Sequence, residues 1–171
     1  MKATKVLVLM ATLVMLVAPF QAKAADYPTS ELYVGLRYTN IDGRLNGFGW
    51  GGSYAYNLTG NFGLAAELGG VYGSKNGRTF TLHDILVGPR VTARGERVNL
   101  FAHVLIGAGV ATATGLGSAS GFEFAGGGGL DYNLSKGLAL RLAQIDYVGL
   151  TGGGTVNSVR AQTGLVWRFG N

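Results

Sequence analysis

The residues that could do chemistry in this sequence are few and scattered. Only His83 and His103 carry imidazoles, and there is no cysteine. That removes thiolate nucleophiles, disulfides and cysteine-ligated metal sites. A hydrolase would need a histidine beside a serine and an acid. His83 adjoins Asp84 in sequence, but neighbours in an extended strand point to opposite faces. His103 has no serine close to it along the chain. Two histidines on separate segments also make thin provision for a metal. Gly107-Ala108-Gly109 lacks the third glycine of a dinucleotide fingerprint, and no Lys-Ser/Thr pair follows Gly126 to Gly129 as a phosphate loop requires. The expectation is a chain with no catalytic constellation and no cofactor. The sequons at Asn57 and Asn133 fall in tight turns, where asparagine has a conformational reason to be.

What remains is a set of titratable residues set singly among glycine and alanine: Arg37, Glu67, Asp84, Arg90, His103, Glu123, Asp131, Arg141, Asp146, Arg160 and Arg168. Their spacing has period two, and each alternates with an apolar or aromatic neighbour. In a narrow barrel they could line an ion path, or pair off and hold the lumen shut. An eight-stranded barrel is just wide enough for side chains to fill it, which favours a structural network of paired charges.

The elements that must carry these residues read as strands. Phe48, Trp50, Tyr54 and Tyr56 share one parity, while Gly47, Gly49, Gly51, Ser53 and Ala55 share the other. The same asymmetry recurs in Leu32–Tyr38, in Phe62–Tyr72, from Phe80 to Val91 and from Asn99 to Ala111. It returns in Phe122–Tyr132 and Val159–Phe169. The segment from Leu138 keeps the pattern only if one extra residue near Ala143 flips the parity. Arg141 then shares a face with Gln144 and Asp146. Asn57–Asn61, Thr92–Arg97 and Asn133–Gly137 read as compact turns. The alternate connections, Thr39–Asn46, Gly73–Arg78, Thr112–Ser120 and Gly149–Ser158, read as somewhat longer loops.

Composition fits an exported β-protein facing lipid. There are 30 Gly, 8 Tyr and 8 Phe, and only 13% of residues are charged, against about a quarter in soluble domains. Lys2 and Lys5, the apolar run Val6–Ala18 and Ala22-Lys23-Ala24 have the pattern of a secretory signal peptide. The expected division is a cleavable leader over residues 1–24 and a barrel domain over 25–171. The whole chain has 14 Lys and Arg against 9 Asp and Glu. Loss of Lys2, Lys5 and Lys23 removes most of the excess, and no basic run suggests nucleic-acid binding.

An apolar face repeated on every strand needs a cover, and no amphipathic helix follows to supply it. Lipid is the cover that the pattern implies. Backbone groups in lipid need internal partners, so the sheet must close without edges. The expected fold is an all-β, eight-stranded antiparallel up-and-down transmembrane barrel, with aromatic residues concentrated near the strand ends. A secreted lipocalin-like binder and a lipid-modifying barrel enzyme are the alternatives outside that reading.

The segment Val159-Arg160-Ala161-Gln162-Thr163-Gly164-Leu165-Val166-Trp167-Arg168-Phe169 resembles the C-terminal strand of outer-membrane barrel proteins. Leu86-Val87-Gly88-Pro89-Arg90, Phe101-Ala102-His103 and Gly127-Gly128-Gly129-Leu130-Asp131 are similar to stretches of small porin-family proteins with an OmpA-like barrel. The resemblance implies an outer-membrane location in a Gram-negative cell and contact with lipid and lipopolysaccharide. It also implies an assembly signal at Leu165, Trp167 and Phe169, read by the barrel-assembly machinery. It implies a monomer with a structural or surface-interaction role or, alternatively, a narrow pore for small solutes. No peptidoglycan-binding domain is expected after the last strand.

Overall fold

A computed structural model describes residues 27–75, 77–115, 117–152 and 154–170; the expected leader lies outside them. Eight strands follow one another: β1 (Ser30–Ile41), β2 (Leu45–Asn57), β3 (Phe62–Lys75), β4 (Arg78–Arg94), β5 (Val98–Ala113), β6 (Gly117–Asn133), β7 (Leu138–Thr151) and β8 (Thr155–Phe169). Each pairs antiparallel with the next, and β1 pairs with β8, closing an up-and-down barrel. In the closing seam Ser30 faces Phe169, and Ile41 faces Ser158.

The two parities separate cleanly. Leu36, Phe48, Leu68, Ile85, Ile106 and Ile145 are exposed on the outside, while Arg37, Glu67, Leu86, Leu105 and Asp146 are buried inside. The extra residue in β7 lies where the parity required it. Register shifts between Arg141 and Gln144 against β8, and between Leu130 and Asp131 against β6. Leu142 and Ala143 are both exposed, and Arg141, Gln144 and Asp146 all turn inward.

The expected contrast between short turns and longer loops does not hold. Strands extend through most of the proposed loops, leaving gaps of two to four residues at both ends. Ser and Thr there continue the ladder: Val110 to Ala113 pair with Ser120 to Gly117. Between β1 and β2 the reversal takes place at Asp42 (φ 49°) and Gly43 (φ 67°), and the Arg44 amide donates to Ile41 O at 2.9 Å. Two successive positive φ values suit the right-handed twist of the flanking strands. The reason for the misreading is compositional: small hydroxyl residues and glycine mimic loop chemistry although they pair as strand.

Two aromatic bands ring the outside. Tyr54, Tyr56, Phe62, Tyr132 and Phe169 stand near the end that carries the chain termini. Phe48, Tyr72 and Phe122 stand towards the opposite, hairpin end.

Candidate functional site: the barrel interior

The interior divides into three levels. At mid-barrel Arg37, on β1, reaches across to β3 and β4. Its Nη2 donates to Glu67 Oε1 at 3.1 Å and its Nη1 to Asp84 Oδ2 at 2.5 Å. It has room because β3 offers Gly69, where a Cβ would collide with the guanidinium. Arg160, on β8, donates from Nε to Asp146 Oδ2 at 3.1 Å, and its Nη2 lies 2.8 Å from Glu67 Oε1 as an ion pair. Asp146 also meets His103 Nε2 at 2.8 Å. Gln144 donates to Glu67 Oε2 and Asp146 Oδ2, and Gln162 donates to Glu67 Oε1.

The network continues towards the terminal end. Arg141 Nη1 donates to Gln144 Oε1 at 2.6 Å, and its Nε to Asp131 Oδ1 at 2.8 Å. Its guanidinium carbon stands 4.3 Å from the ring centres of both Tyr33 and Phe101. Such stacking stabilises a desolvated cation by about 2 kcal/mol. Arg90 bridges Asp131 (3.7 Å) and Glu31 (3.0 Å), and Arg94 reaches Glu31 at 2.7 Å. Among the described residues Arg168 does not join a carboxylate; its Nη1 donates to Asn133 Oδ1 at 2.7 Å.

The structure thus places all eleven titratable residues singled out by alternation inside the barrel, each at most 9% exposed. It brings nine of them into one connected web and leaves two outside. Among the described residues the Arg168 side chain bonds only to an asparagine, and Glu123, fully buried, has no hydrogen-bond partner for either oxygen. Sequence reasoning missed Glu31, which lies one residue ahead of where the alternation was taken to begin. It missed Arg94 because β4 runs on through Thr92–Arg94. Gln144 and Gln162 were on the right face, but they carry no charge to draw attention.

The third level lies at the hairpin end, where the polarity inverts. Inward there are Ile41, Leu45, Phe80, Leu82, Val148, Leu150 and Val156, lining a cavity of about 300 Å³ with Glu123 in its wall. Outward on the same strands stand exposed Thr79, Thr112, Ser118, Ser120, Thr151, Thr155 and Asn157. The continued parity of Phe80 and Leu82 with Asp84 was the available signal. A second, polar cavity of about 620 Å³ opens at the terminal end, bordered by Arg94, Asn99, Asn133, Lys136 and Arg168.

Ligand atoms of Glu67, His103 and Asp146 lie within 4.8 Å of one another, close enough to hold a metal. Both carboxylates are already committed to arginines, so a cation there would displace Arg37 or Arg160 from its partners. His83 is on the outside, edge-on to Tyr72 at a centroid distance of 5.6 Å, with Asp84 facing inward.

The family model of the outer membrane protein beta-barrel domain matches residues 10–169. This chain belongs to that family. It is accordingly a protein of the outer membrane, with the apolar outer face of the barrel against lipid. Solved barrels share the fold. Ail, the attachment invasion locus protein of Yersinia pestis, is 20% identical with a TM-score of 0.62, the match covering 84% of this chain and 100% of Ail. Neisserial surface protein A is 14% identical with a TM-score of 0.72, covering 82% and 97%. OprG from Pseudomonas aeruginosa is 10% identical with a TM-score of 0.60, covering 88% and 100%. No curated protein matches the chain by sequence.

Proposed function

We propose that this chain is a monomeric, non-enzymatic outer-membrane barrel with a structural and surface-interaction role, its lumen held shut by the charge network. The observation that carries this reading is the unbroken chain of contacts from Arg37 through Glu67, Gln144, Arg141, Asp131 and Arg90 to Glu31. It crosses the lumen between the two cavities, and its members are buried. His103 is held within the same network by its bond to Asp146.

Surface contact falls to the hairpin end. Exposed Arg44, Lys75 and Arg78 gather on the β1–β2 and β3–β4 hairpins, with Lys75 Nζ donating to Arg44 O at 2.8 Å. Such a cluster suits the phosphates of lipopolysaccharide. Ail has been solved in complex with the heparin analogue sucrose octasulfate, another polyanion. In this reading residues 1–24 are the cleaved leader, and the outward-facing Leu165, Trp167 and Phe169 are the strand read by the barrel-assembly machinery.

Planar-bilayer recording of the purified protein tests the closed lumen: no conductance steps are expected. Discrete steps abolished by Arg141→Trp would establish the rival reading, a narrow pore, which the cavities at both ends favour. Mass spectrometry of the outer-membrane form tests the leader, with a mature N-terminus at Ala25 expected.

A further inference from the structure

Above the hairpin-side aromatic band the wall has hydroxyls outside and hydrocarbon inside, the reverse of its membrane-spanning part. Water on the outside explains the Thr and Ser. Nothing structural requires the inside to be apolar, since the same lumen one level down is filled with charged side chains. Ile41, Phe80, Leu82, Ala119, Leu150 and Val156 instead leave an apolar cup of about 300 Å³, at the lower end of the range of ligand pockets.

The wall of this cup carries an acceptor side chain without donors, and a second such acceptor lies beneath it. Glu123 lies in the cavity wall, and among the described residues neither Oε1 nor Oε2 has a partner. Asp84, the next inward residue of β4 below the lining Leu82, lies beneath the cavity wall; it uses Oδ2 for Arg37 and Arg160 and, among the described residues, leaves Oδ1 unpartnered. Both flank Gly109 of β5: Asp84 is its register partner, and a Cβ on Gly109 would strike Glu123 Oε2. Buried acceptors with no donor cost about 1–3 kcal/mol each, more when charged, and the other lumen carboxylates, Glu31, Glu67, Asp131 and Asp146, all have partners.

We infer that the cup is a binding site for an aliphatic primary amine, its chain against the apolar wall and its ammonium donating to Glu123 and Asp84. An ammonium supplies three donors and one positive charge in a small volume. A hydrated metal ion matches the carboxylates but not the hydrocarbon wall above them. A fatty acid matches the wall but would set its carboxylate against Glu123. Exposed Arg44, Lys75 and Arg78 are in solvent, where their repulsion is screened over about 8 Å at physiological salt.

The test is a calorimetric titration of n-octylammonium into the full-length protein in lipid nanodiscs, with empty nanodiscs as reference and n-octanol as the neutral analogue. Saturable 1:1 binding is expected, at least tenfold tighter for the amine than for the alcohol. Glu123→Gln should erase that preference while alcohol binding persists. Leu150→Trp, which fills the cup and leaves the carboxylate in place, should abolish both. Faster migration in SDS gels before boiling than after it, the expected mark of a closed barrel, verifies folding of each variant. Equal affinity for amine and alcohol in the native protein, or the absence of a saturable phase, would overturn the assignment. So would an unchanged preference in folded Glu123→Gln.

Discussion

The mid-barrel lumen and the hairpin-end cup are built from the same eight strands, with side chains alternating inward and outward in the same way, yet they bury opposite things. At mid-barrel hydrocarbon faces out and ions pair within; at the cup hydroxyls face out and hydrocarbon lines the inside. Alternation fixes which residues share a face, and the surrounding medium fixes which chemistry each face takes. The change of medium is therefore written into the strands, at the level of Phe122 and Glu123.

The comparison breaks most forcefully at Arg160, which touches Glu67, Asp84 and Asp146. Arg160→Ala strands buried carboxylates and is expected to cost about 3–5 kcal/mol, read from urea unfolding in vesicles. A loss below 1 kcal/mol would mean that water already solvates this level. Next comes the outer face: Ile85→Arg, at lipid depth, should cost about 2–4 kcal/mol, whereas Thr112→Arg on the outside of the cup should cost about 0–1. Equal costs would place the cup inside the bilayer.

A smaller effect of opposite sign is expected at Glu123. Glu123→Leu removes an unpartnered buried carboxylate and should raise stability by about 1–2 kcal/mol, as a higher urea midpoint. The same change at Asp146, which has three partners, should lower it. Gly69→Ala sharpens the packing at mid-barrel. Its new methyl must displace the Arg37 guanidinium, for an expected loss of about 1–2 kcal/mol. Pairing it with Arg37→Ala should make the methyl nearly silent.

Much of this molecule is legible in the sequence, because a β-barrel in lipid obeys one rule on every strand. Parity alone puts Arg37, Glu67, Asp84 and Arg160 on one face, and even the β7 irregularity follows from the clash between Arg141 and Asp146 in a uniform period. The rule fails where the solvent changes. Thr112 to Ser120 and Gly149 to Ser158 lose their apolar outer face and so look like loops. Pairing is the other limit: nothing local distinguishes Glu67, with several donors around it, from Glu123, with none. That difference is made by residues on β1, β7 and β8, far away along the chain.

The seam between β1 and β8 sets the order of events in the making of the barrel. Thr29 N donates to Gly170 O across 141 residues of chain, so the first strand waits for the last. Until β8 arrives, both margins of the growing sheet offer unpaired backbone, and the entropy of closing so long a loop has gained nothing in return. The ring is then all or nothing: a chain shortened by a single strand is left with two adhesive edges rather than a smaller barrel. Such a chain would be caught by proteolysis or by a chaperone, and the last dozen residues act as the clasp that certifies the rest.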